Sequence, residues 1–357
     1  MRDFLQHARS FHADLTEMRR DIHRHPELAF QETRTAGIAA DALDTLGLHV
    51  TRGVGGTGVV AELRNGAGPV VVLRADMDAL PVTEINETEY VSTVPGVMHA
   101  CGHDAHVTML LGAARLLNDA ADAGDLPSGT VRFLFQPAEE KADEENRSGA
   151  DHLVAAGAMH GVDAAFALHV APHLPARRIY TREGGIMAGS DTFVAWVLGD
   201  SSHGARPDEG VDALVLAAHV VLAAQHGVAR RISPMKSGVL TIGSIDGGTA
   251  ENIIADRVRL EGTIRYFDPQ VRERLRAALE AATRVAETMG GRVEMDLLEG
   301  YPPTINDPAM TRLAREATAA VLGDDGVADV EPMMATEDFA VLLRHAPGAL
   351  LWLGAAP

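Results

Sequence analysis

Hydrophobic residues recur at two different spacings along the first half of this chain, and each spacing predicts one kind of element. Apolar positions three or four residues apart predict helices over 4–24, 33–46, 103–118 and 148–156. Short β-branched or apolar runs closed by polar residues predict strands over 58–63, 70–73, 131–135 and 164–170. This alternation of strands and helices favours a layered α/β domain with a mostly parallel sheet.

A second rhythm follows the glycine-rich hinge Glu183-Gly184-Gly185. The pattern predicts, in order, a strand, a helix, two strands, a helix and a strand over 191–198, 211–227, 239–246, 257–266, 270–289 and 292–297. The order β-α-β-β-α-β is that of the split βαβ, ferredoxin-like unit. Helical spacing returns at 308–322 and 337–344, before a strand at 349–353. We therefore expect a ferredoxin-like α+β domain (184–299) inserted into a discontinuous α/β domain (1–183 and 300–357).

Composition and charge restrict the class of partner. The chain has 357 residues, 46% of them hydrophobic, which suits a globular protein with more than one domain. Acidic residues outnumber basic ones by 50 to 31, for a formal charge of −19. Because so negative a protein is repelled by phosphate backbones and anionic lipids, we expect neither nucleic acid nor a membrane as partner. Part of the acidic excess can instead balance bound cations.

The cysteine content and the apolar runs bear on the compartment. A single cysteine excludes an internal disulfide framework and suits a reducing compartment. Charged residues recur through the first 28 positions, unlike the apolar core of a signal peptide, and the run 213–224 is interrupted by His219 and too short for a bilayer. We therefore expect a cytoplasmic protein.

Polar residues capable of binding metal follow three of the predicted strands. Asp76 and Asp78 come after the strand 70–73, the pair Glu139 and Glu140 follows 131–135, and His169 closes 164–170. Ligands of parallel α/β sheets bind beyond the carboxyl ends of the strands, where these residues are expected. Considered in isolation, the paired glutamates are more typical of a solvated turn, and His169 is more typical of a hydrogen-bonded core histidine.

The segment 97–106 concentrates further metal-binding side chains. It contains the only cysteine, Cys101, together with His99, His103 and His106. In Cys101-Gly102-His103, the intervening glycine allows a tight turn, so that one sulfur and one nitrogen can reach the same ion. The alternative interpretation is a buried free cysteine beside a histidine-rich helix.

These residues together favour a catalytic centre over a structural zinc site. A structural zinc is usually held by four closely spaced, thiolate-rich ligands, whereas here one sulfur joins carboxylates and imidazoles spread over nearly a hundred positions. Such a mixture is typical of a site that holds two divalent ions and activates a shared water. One of Glu139 and Glu140 can bind metal while its neighbour acts as the general base. Asp76 and Asp78 are expected to orient a ligating imidazole, with Asp76 counted in the catalytic machinery.

Seven motifs in this order resemble the amidohydrolase branch of the aminoacylase/glutamate-carboxypeptidase metallohydrolases, which includes hippurate hydrolase and indole-3-acetyl-amino-acid hydrolase. They are RADMDALP, MHACGHDAH, FQPAEE, FALHVAP, GDSSHGARPDEGVDA, GGTAENIIAD and ATEDFA. The resemblance runs from RRDIHRHPEL to the end of the chain. It implies a catalytic α/β domain with an inserted lid that usually also forms a homodimer.

The resemblance also implies roles for individual residues. It implies two divalent ions per subunit (Mn, Zn, Co or Ni) and the ligands Cys101, His103, Glu140 and His169. Glu139 is implied as the base that activates water. On the lid, His203 is implied to polarise the scissile carbonyl or to hold the tetrahedral oxyanion, and Asn252 and Arg265 to contact the substrate's carboxylate. The expected reaction is cleavage of the amide bond in an N-acyl amino acid or a related N-acylated small molecule.

Alternatives remain open at this stage. The family carries a fifth ligand, a histidine in a His-Ser-Pro or His-Asn-Pro context, beyond the point where this sequence ends at Pro357. If that ligand is lacking, one metal binds weakly, and a non-catalytic metal-binding homologue becomes an alternative. A dipeptidase or carboxypeptidase of the same family is the nearest enzymatic rival. Catalysis by Cys101 as a nucleophile is disfavoured by the metal ligands around it.

Overall fold

A computed structural model describes residues 4–357, and the chain divides into two compact units. Unit 1 comprises 4–186, Thr304–Glu331 and Asp338–Pro357, and unit 2 comprises Met187–Pro303 and Pro332–Glu337. The helices are α1 (Phe4–Ser10), α2 (His12–Arg24), α3 (Thr33–Thr45), α4 (His103–Asp122), α5 (Gly149–Ala155), α6 (Ala213–Arg231), α7 (Pro269–Thr288), α8 (Pro308–Leu322) and α9 (Phe339–Leu342).

The strands follow the same chain order. They are β1 (His49–Val54), β2 (Gly58–Asn65), β3 (Val70–Asp76), β4 (Gly129–Gln136), β5 (Ala164–Pro175), β6 (Ile179–Tyr180), β7 (Gly184–Met187), β8 (Gly189–Leu198), β9 (Gly238–Gly247), β10 (Arg257–Tyr266), β11 (Arg292–Glu299), β12 (Thr304–Asn306), β13 (Val327–Ala328) and β14 (Gly348–Ala356).

Unit 1 is built on an eight-stranded sheet in the order β1-β2-β4-β3-β5-β14-β6-β13. Its central strands β4, β3, β5 and β14 are parallel, while β1, β2 and the β14–β6 pair are antiparallel. Helices α2, α3 and α4 contribute Ile22, Leu43 and Val107 to a core shared with Phe133 and Phe135 of β4. The mixed α/β fold with a mostly parallel sheet is as predicted.

Helix α4 begins where the sequence predicts and runs four residues further, to Asp122. Gly102 precedes it with φ +81°, a left-handed conformation that favours glycine. A Cβ at Gly102 would also meet the Val170 side chain at 2.5 Å. Both the backbone conformation and the close approach of Val170 therefore require glycine at position 102, between Cys101 and His103.

The carboxyl ends of β3 and β4 lie side by side, with Asp76 paired to Gln136. The sequence pattern predicts that strand β5 ends at Val170, with His169 as its penultimate residue. This boundary is wrong, because β5 continues to Pro175. His169 nevertheless lies two positions beyond Ala167, the last β5 residue paired with β3. Its flank on the β3 side is therefore free of strand pairing, and the residue remains at the ligand edge.

Unit 2 has the predicted β-α-β-β-α-β order, β8-α6-β9-β10-α7-β11. Its four strands form an antiparallel sheet in the order β11-β8-β10-β9, as expected for a ferredoxin-like unit. Helices α6 and α7 pack on this sheet through Leu216 and Leu275, against Phe193, Val197 and Leu260. Helix α6 is long and apolar enough to pass a length-and-composition test for a membrane span, a test that core helices of soluble proteins also pass.

Three local predictions need correction. Strand β1 was missed, because its exposed sequence His49–Val54 lacks a clear apolar alternation. The predicted hinge Glu183-Gly184-Gly185 is largely strand, since β7 begins at Gly184. The helix predicted over 337–344 is only the single turn α9, Phe339–Leu342.

A buried carboxylate in unit 2 gives a testable stability prediction. Asp191 on β8 is fully buried and accepts hydrogen bonds from Arg272 (2.7 and 2.9 Å) and Arg276 (2.8 Å). Burial alone would raise the pKa of Asp191, but the two guanidinium groups outweigh it and lower the pKa. Because both arginines are partly solvated, we expect Asp191→Asn to lower the free energy of unfolding by about 2 kcal/mol at pH 7.

The pH dependence of this difference has a defined sign. Since the folded-state pKa of Asp191 lies below the unfolded value of about 3.9, its contribution is complete above that value and is lost as the pH falls through the folded-state pKa. Urea unfolding followed by Trp196 fluorescence, in a Trp352→Phe background, measures this unit. Asp296→Asn, an exposed change on β11, is the matched control. An equal loss at pH 7 and pH 3 would contradict the prediction.

Candidate metal centre and active site

Cys101, His103 and Glu140 converge in unit 1. One ligand atom from each residue lies within 4.8 Å of the other two. Cys101 and His103 flank the start of α4, and Glu140 follows the end of β4. The structure thus brings together three of the four predicted ligands, at the sheet edge where parallel strands end.

The orientation of His103 leaves one nitrogen available to a cation. Its Nδ1 lies 3.3 Å from a carboxylate oxygen of Asp78, so Nδ1 donates and Nε2 faces the centre. Among the described residues, Nε2 of His103 and Oε1 of Glu140 are buried without a hydrogen-bond partner, 3.8 Å apart. Buried polar atoms are normally paired, so two adjacent unpaired ones fit a bound divalent cation. The backbone N–H of Glu140 also donates to Asp78 (2.9 Å), so Asp78 orients both residues.

The electrostatics of this group also fit a cation. Burial raises the pKa of the Cys101 thiol, and the charge of Glu140 raises it further. Burial alone would lower the pKa of His103, but Asp76 and Asp78 outweigh it and raise the pKa to about 10. The pKa of Glu140 is raised, chiefly by burial. Burial therefore disfavours the ionised forms of Cys101 and Glu140, and a divalent ion between them would stabilise those forms.

His169 lies beside this group rather than within it. The centroids of the His103 and His169 rings are 5.9 Å apart. The Nδ1 atom of His169 lies 2.7 Å from the Val170 carbonyl oxygen, so Nδ1 donates and Nε2 keeps its lone pair. Burial lowers the pKa of His169 to about 3, which keeps the ring neutral. A neutral imidazole with a free Nε2 is the form that binds metal.

The side chain of His106, beside His169, forms hydrogen bonds with both β3 and β5. The backbone N–H of Val170 donates to His106 Nε2 at 2.9 Å, so the proton of the neutral ring is on Nδ1. That nitrogen donates to Asp76 at 2.5 Å. Asp76, predicted to orient a ligating imidazole, thus holds His106, whereas Asp78 holds His103.

The turn that carries Glu139 and Glu140 has a strained backbone, which is held by hydrogen bonds to residues outside the turn. Ala138 has φ +46°, which is unfavourable for a residue with a side chain. Its N–H donates to the buried carboxylate of Glu32 (2.8 Å), and its carbonyl accepts from Gly149 (2.9 Å). Both backbone polar groups of Ala138 are therefore fixed, and the direction in which Glu139 leaves the strand is fixed with them.

A buried polar network continues from Glu139. The backbone N–H of Asp338 lies 3.4 Å from a Glu139 carboxylate oxygen. The carboxylate of Asp338 accepts from Arg74 (2.9 Å) and from Gln136 (2.7 Å), and Arg74 also pairs with Asp76 (2.7 Å). The candidate base and the residue that holds His106 are therefore linked through one guanidinium group.

The predicted lid residues all lie in unit 2. His203 and Asn252 are on adjacent loops, joined by a bridge between His203 and Ile253. The N–H of Ala205 donates to His203 Nδ1 (3.0 Å), so the neutral ring carries its proton on Nε2 and can donate there. Arg265 on β10 donates to Thr336 (3.1 Å), and burial lowers its pKa. Within the described residues Arg265 forms no ion pair with a carboxylate, so its charge is available to an anion.

Several residues that shape this site have no role predicted from the sequence. His106 and Asp338 stand inside the quoted motifs MHACGHDAH and ATEDFA, so their position in a motif was the available signal. Glu32 lies in no motif, and its role depends on a contact with Ala138 across 106 positions of the chain.

Comparison with known proteins identifies the family. The chain matches the description of Peptidase family M20/M25/M40 over residues 72–357, and it belongs to that family. It is 39% identical over 344 residues to thermostable carboxypeptidase 2 of Saccharolobus solfataricus, covering 95% of this chain and 85% of that protein. It is 38% identical over 342 residues to IAA-amino acid hydrolase ILR1-like 4 of Arabidopsis thaliana, covering 94% and 76%.

A solved structure agrees with this assignment. The crystal structure of Bacillus subtilis YXEP, described as a dinuclear metal binding peptidase of the M20 family, superposes with a TM-score of 0.83 at 34% identity, covering 97% of this chain and 89% of that one. The chain is therefore a metal-dependent hydrolase that acts on amide bonds, in the amidohydrolase branch predicted from its motifs.

Proposed function

We propose that this enzyme hydrolyses the amide bond of N-acyl amino acids. The observation that carries the proposal is the group Cys101, His103 and Glu140, with two buried unpaired ligand atoms and a second carboxylate, Glu139, next to it in sequence. The 38% sequence identity to a plant IAA-amino acid hydrolase, over 94% of this chain, supports N-acyl amino acids as the substrate class.

Cys101, His103, Glu140 and His169 would hold two divalent ions, and Mn, Zn, Co and Ni all suit this ligand set. Bound there, such ions would lower the pKa of a shared water toward neutrality and polarise the scissile carbonyl. Glu139 takes the proton from the attacking water and then delivers it to the leaving amine. The Asp338 N–H and the fixed turn at Ala138 hold the Glu139 carboxylate in one orientation for both transfers.

The unit 2 residues supply substrate contacts in this proposal. The Nε2–H of His203 donates to the oxygen of the scissile carbonyl as negative charge develops on it. Arg265 pairs with the substrate's carboxylate, because it is a half-buried guanidinium whose charge no described carboxylate neutralises. Asn252, on the loop beside His203, donates its side-chain amide to the same carboxylate.

We further propose a homodimer formed through unit 2 in a cytoplasmic setting. Strand β9 is an edge of the four-stranded sheet, and it exposes Ile245 by 56%. Helix α6 exposes Leu222 by 68%. An unpaired strand edge beside exposed apolar side chains favours pairing with a second copy. The single cysteine, which allows no internal disulfide, suits a reducing compartment.

A carboxypeptidase specificity is the second candidate, because thermostable carboxypeptidase 2 is as similar to this chain as the plant hydrolase is. Both reactions cleave an amide next to a free carboxylate, so the same centre and Arg265 serve either. They differ in the acyl side, which is a simple acyl group in one case and a peptide in the other.

Activity before and after chelation tests the proposal. The full chain is assayed on acetyl-, benzoyl- and indole-3-acetyl-amino acids and on a dipeptide series, then with a chelator, and then after adding each metal. We expect hydrolysis of N-acyl amino acids that is lost with the chelator and restored by metal. Hydrolysis of peptides alone would favour the carboxypeptidase, and activity that survives complete metal removal would refute both.

A further inference from the structure

A cavity of about 250 Å³ lies in unit 1 next to Cys101. Its walls come from α2, from the segment 84–102, and from residues of β5 and β14. Tyr90, Met98, Val170 and Pro172 contribute its apolar surface. Because Cys101 also lines it, the cavity borders the candidate metal centre at one of the predicted ligands.

His99 lines this cavity, and its imidazole ring lies beside that of His23. Its side chain is buried, with 3% exposure, and neither ring nitrogen forms a hydrogen bond within the described part of the chain. A buried neutral imidazole offers one hydrogen-bond donor and one acceptor to a ligand. Burying polar groups without partners is unfavourable, and a ligand that pairs with them removes that penalty.

The charged residues around the cavity neutralise one another. Arg19 pairs with Asp104 (2.6 Å), and His23 lies between Asp104 (2.8 Å) and Glu84 (3.2 Å). Burial would lower the pKa of His23, but Asp104 and Glu84 outweigh it, so two cationic groups face two carboxylates. The described lining residues therefore offer no unpaired cation to a carboxylate, in contrast to Arg265. The cavity suits an uncharged group.

We infer that this cavity holds the acyl group of the substrate, and that His99 selects uncharged acyl groups carrying a hydrogen-bonding N–H or O–H. The inference rests on the proposed hydrolysis of N-acyl amino acids, and it adds a specificity-determining residue and a substrate class. The apolar walls bind the hydrocarbon part of the acyl group, and the imidazole pairs with its polar atom. A site with a buried polar group discriminates strongly against an analogue that leaves this group unpaired.

Matched substrate pairs test the inference. The kcat/KM values are compared for indole-3-acetyl-alanine and benzothiophene-3-acetyl-alanine, which differ by N–H against S, and for 4-hydroxyphenylacetyl- and phenylacetyl-alanine. We expect the wild-type enzyme to prefer the polar member of at least one pair by about 10-fold or more. In His99→Leu the preference falls to about one, because the polar member loses its hydrogen-bond partner. His99→Gln, which keeps a donor and an acceptor, restores part of the preference.

Thermal unfolding separates this role from a structural one. Because the ring nitrogens form no hydrogen bond with the described residues, His99→Leu is expected to leave Tm unchanged or raise it, with metal content unaltered. The exposed change His12→Leu is the control and alters neither Tm nor the preference. Equal rates within both pairs in the wild-type enzyme, or a lower Tm with the preference intact in His99→Leu, overturns the inference while leaving the proposed function standing. Failure to hydrolyse any N-acyl amino acid overturns both.

Discussion

Glu139→Gln is expected to lower kcat by about 10³-fold or more, because the amide cannot accept the proton that the carboxylate takes from water. The change keeps the size of the side chain and the oxygen that accepts from the Asp338 N–H, so the turn after β4 should keep its geometry. Since Glu139 is not among the predicted ligands, bound metal should remain nearly constant. Steady-state kinetics and elemental analysis of the same preparation measure both quantities.

The matched control is Glu144→Gln, an exposed glutamate a few residues further along the same loop. It removes the same charge from the same region and should retain kcat within about twofold, since exposed charges contribute little. If Glu139→Gln kept wild-type turnover, Glu139 would not be the base. If it lost metal together with turnover, Glu139 would be a ligand, and the roles of Glu139 and Glu140 would have to be reconsidered.

The fold was largely predictable because both periodicities are strong in this chain. Unit 2 has the predicted order of elements, since its strands alternate and its helices carry apolar stripes that the sheet buries. Strand β1 was not predicted because most of its side chains are exposed. Its pairing with β2 depends on backbone hydrogen bonds, which produce no apolar pattern in the sequence. The length of β5 was not predicted because the continuation to Pro175 pairs with β14, which is distant in sequence.

The convergence of Cys101, His103 and Glu140 could also be predicted. Parallel strands end at one edge of the sheet, and cysteine, histidine and glutamate are common metal ligands. The partners that orient them could not be predicted. Asp78 rather than Asp76 holds His103, and Glu32 reaches Ala138. Which carboxylate pairs with which donor depends on the positions of side-chain atoms to within about 1 Å. Spacing along the sequence does not specify these positions.

Arg74→Met is expected to lower the free energy of unfolding of unit 1 by about 3–5 kcal/mol. The Arg74 side chain is 2% exposed, and its partners Asp76 and Asp338 are fully buried. Methionine fills much of the volume but removes the guanidinium group that pairs with both buried carboxylates. Since Asp338 also donates to Glu139 through its N–H, kcat should fall as well. Urea unfolding followed by Trp352 fluorescence in a Trp196→Phe background measures the loss.

Arg64→Met on strand β2, which lies in the same sheet beyond β4, is the matched control. Its side chain is 70% exposed and pairs with Glu62, so the same substitution should change the unfolding free energy by less than about 1 kcal/mol. Equal effects of the two changes would mean that Asp76 and Asp338 are not held as charged groups by Arg74. Adding Asp338→Asn to Arg74→Met removes the charge of one of the two carboxylates that lost the guanidinium group, so the double variant should be more stable than Arg74→Met alone. A further loss instead would show that Asp338 stabilises unit 1 mainly through Gln136 and the Ala150 N–H, which also contact its carboxylate.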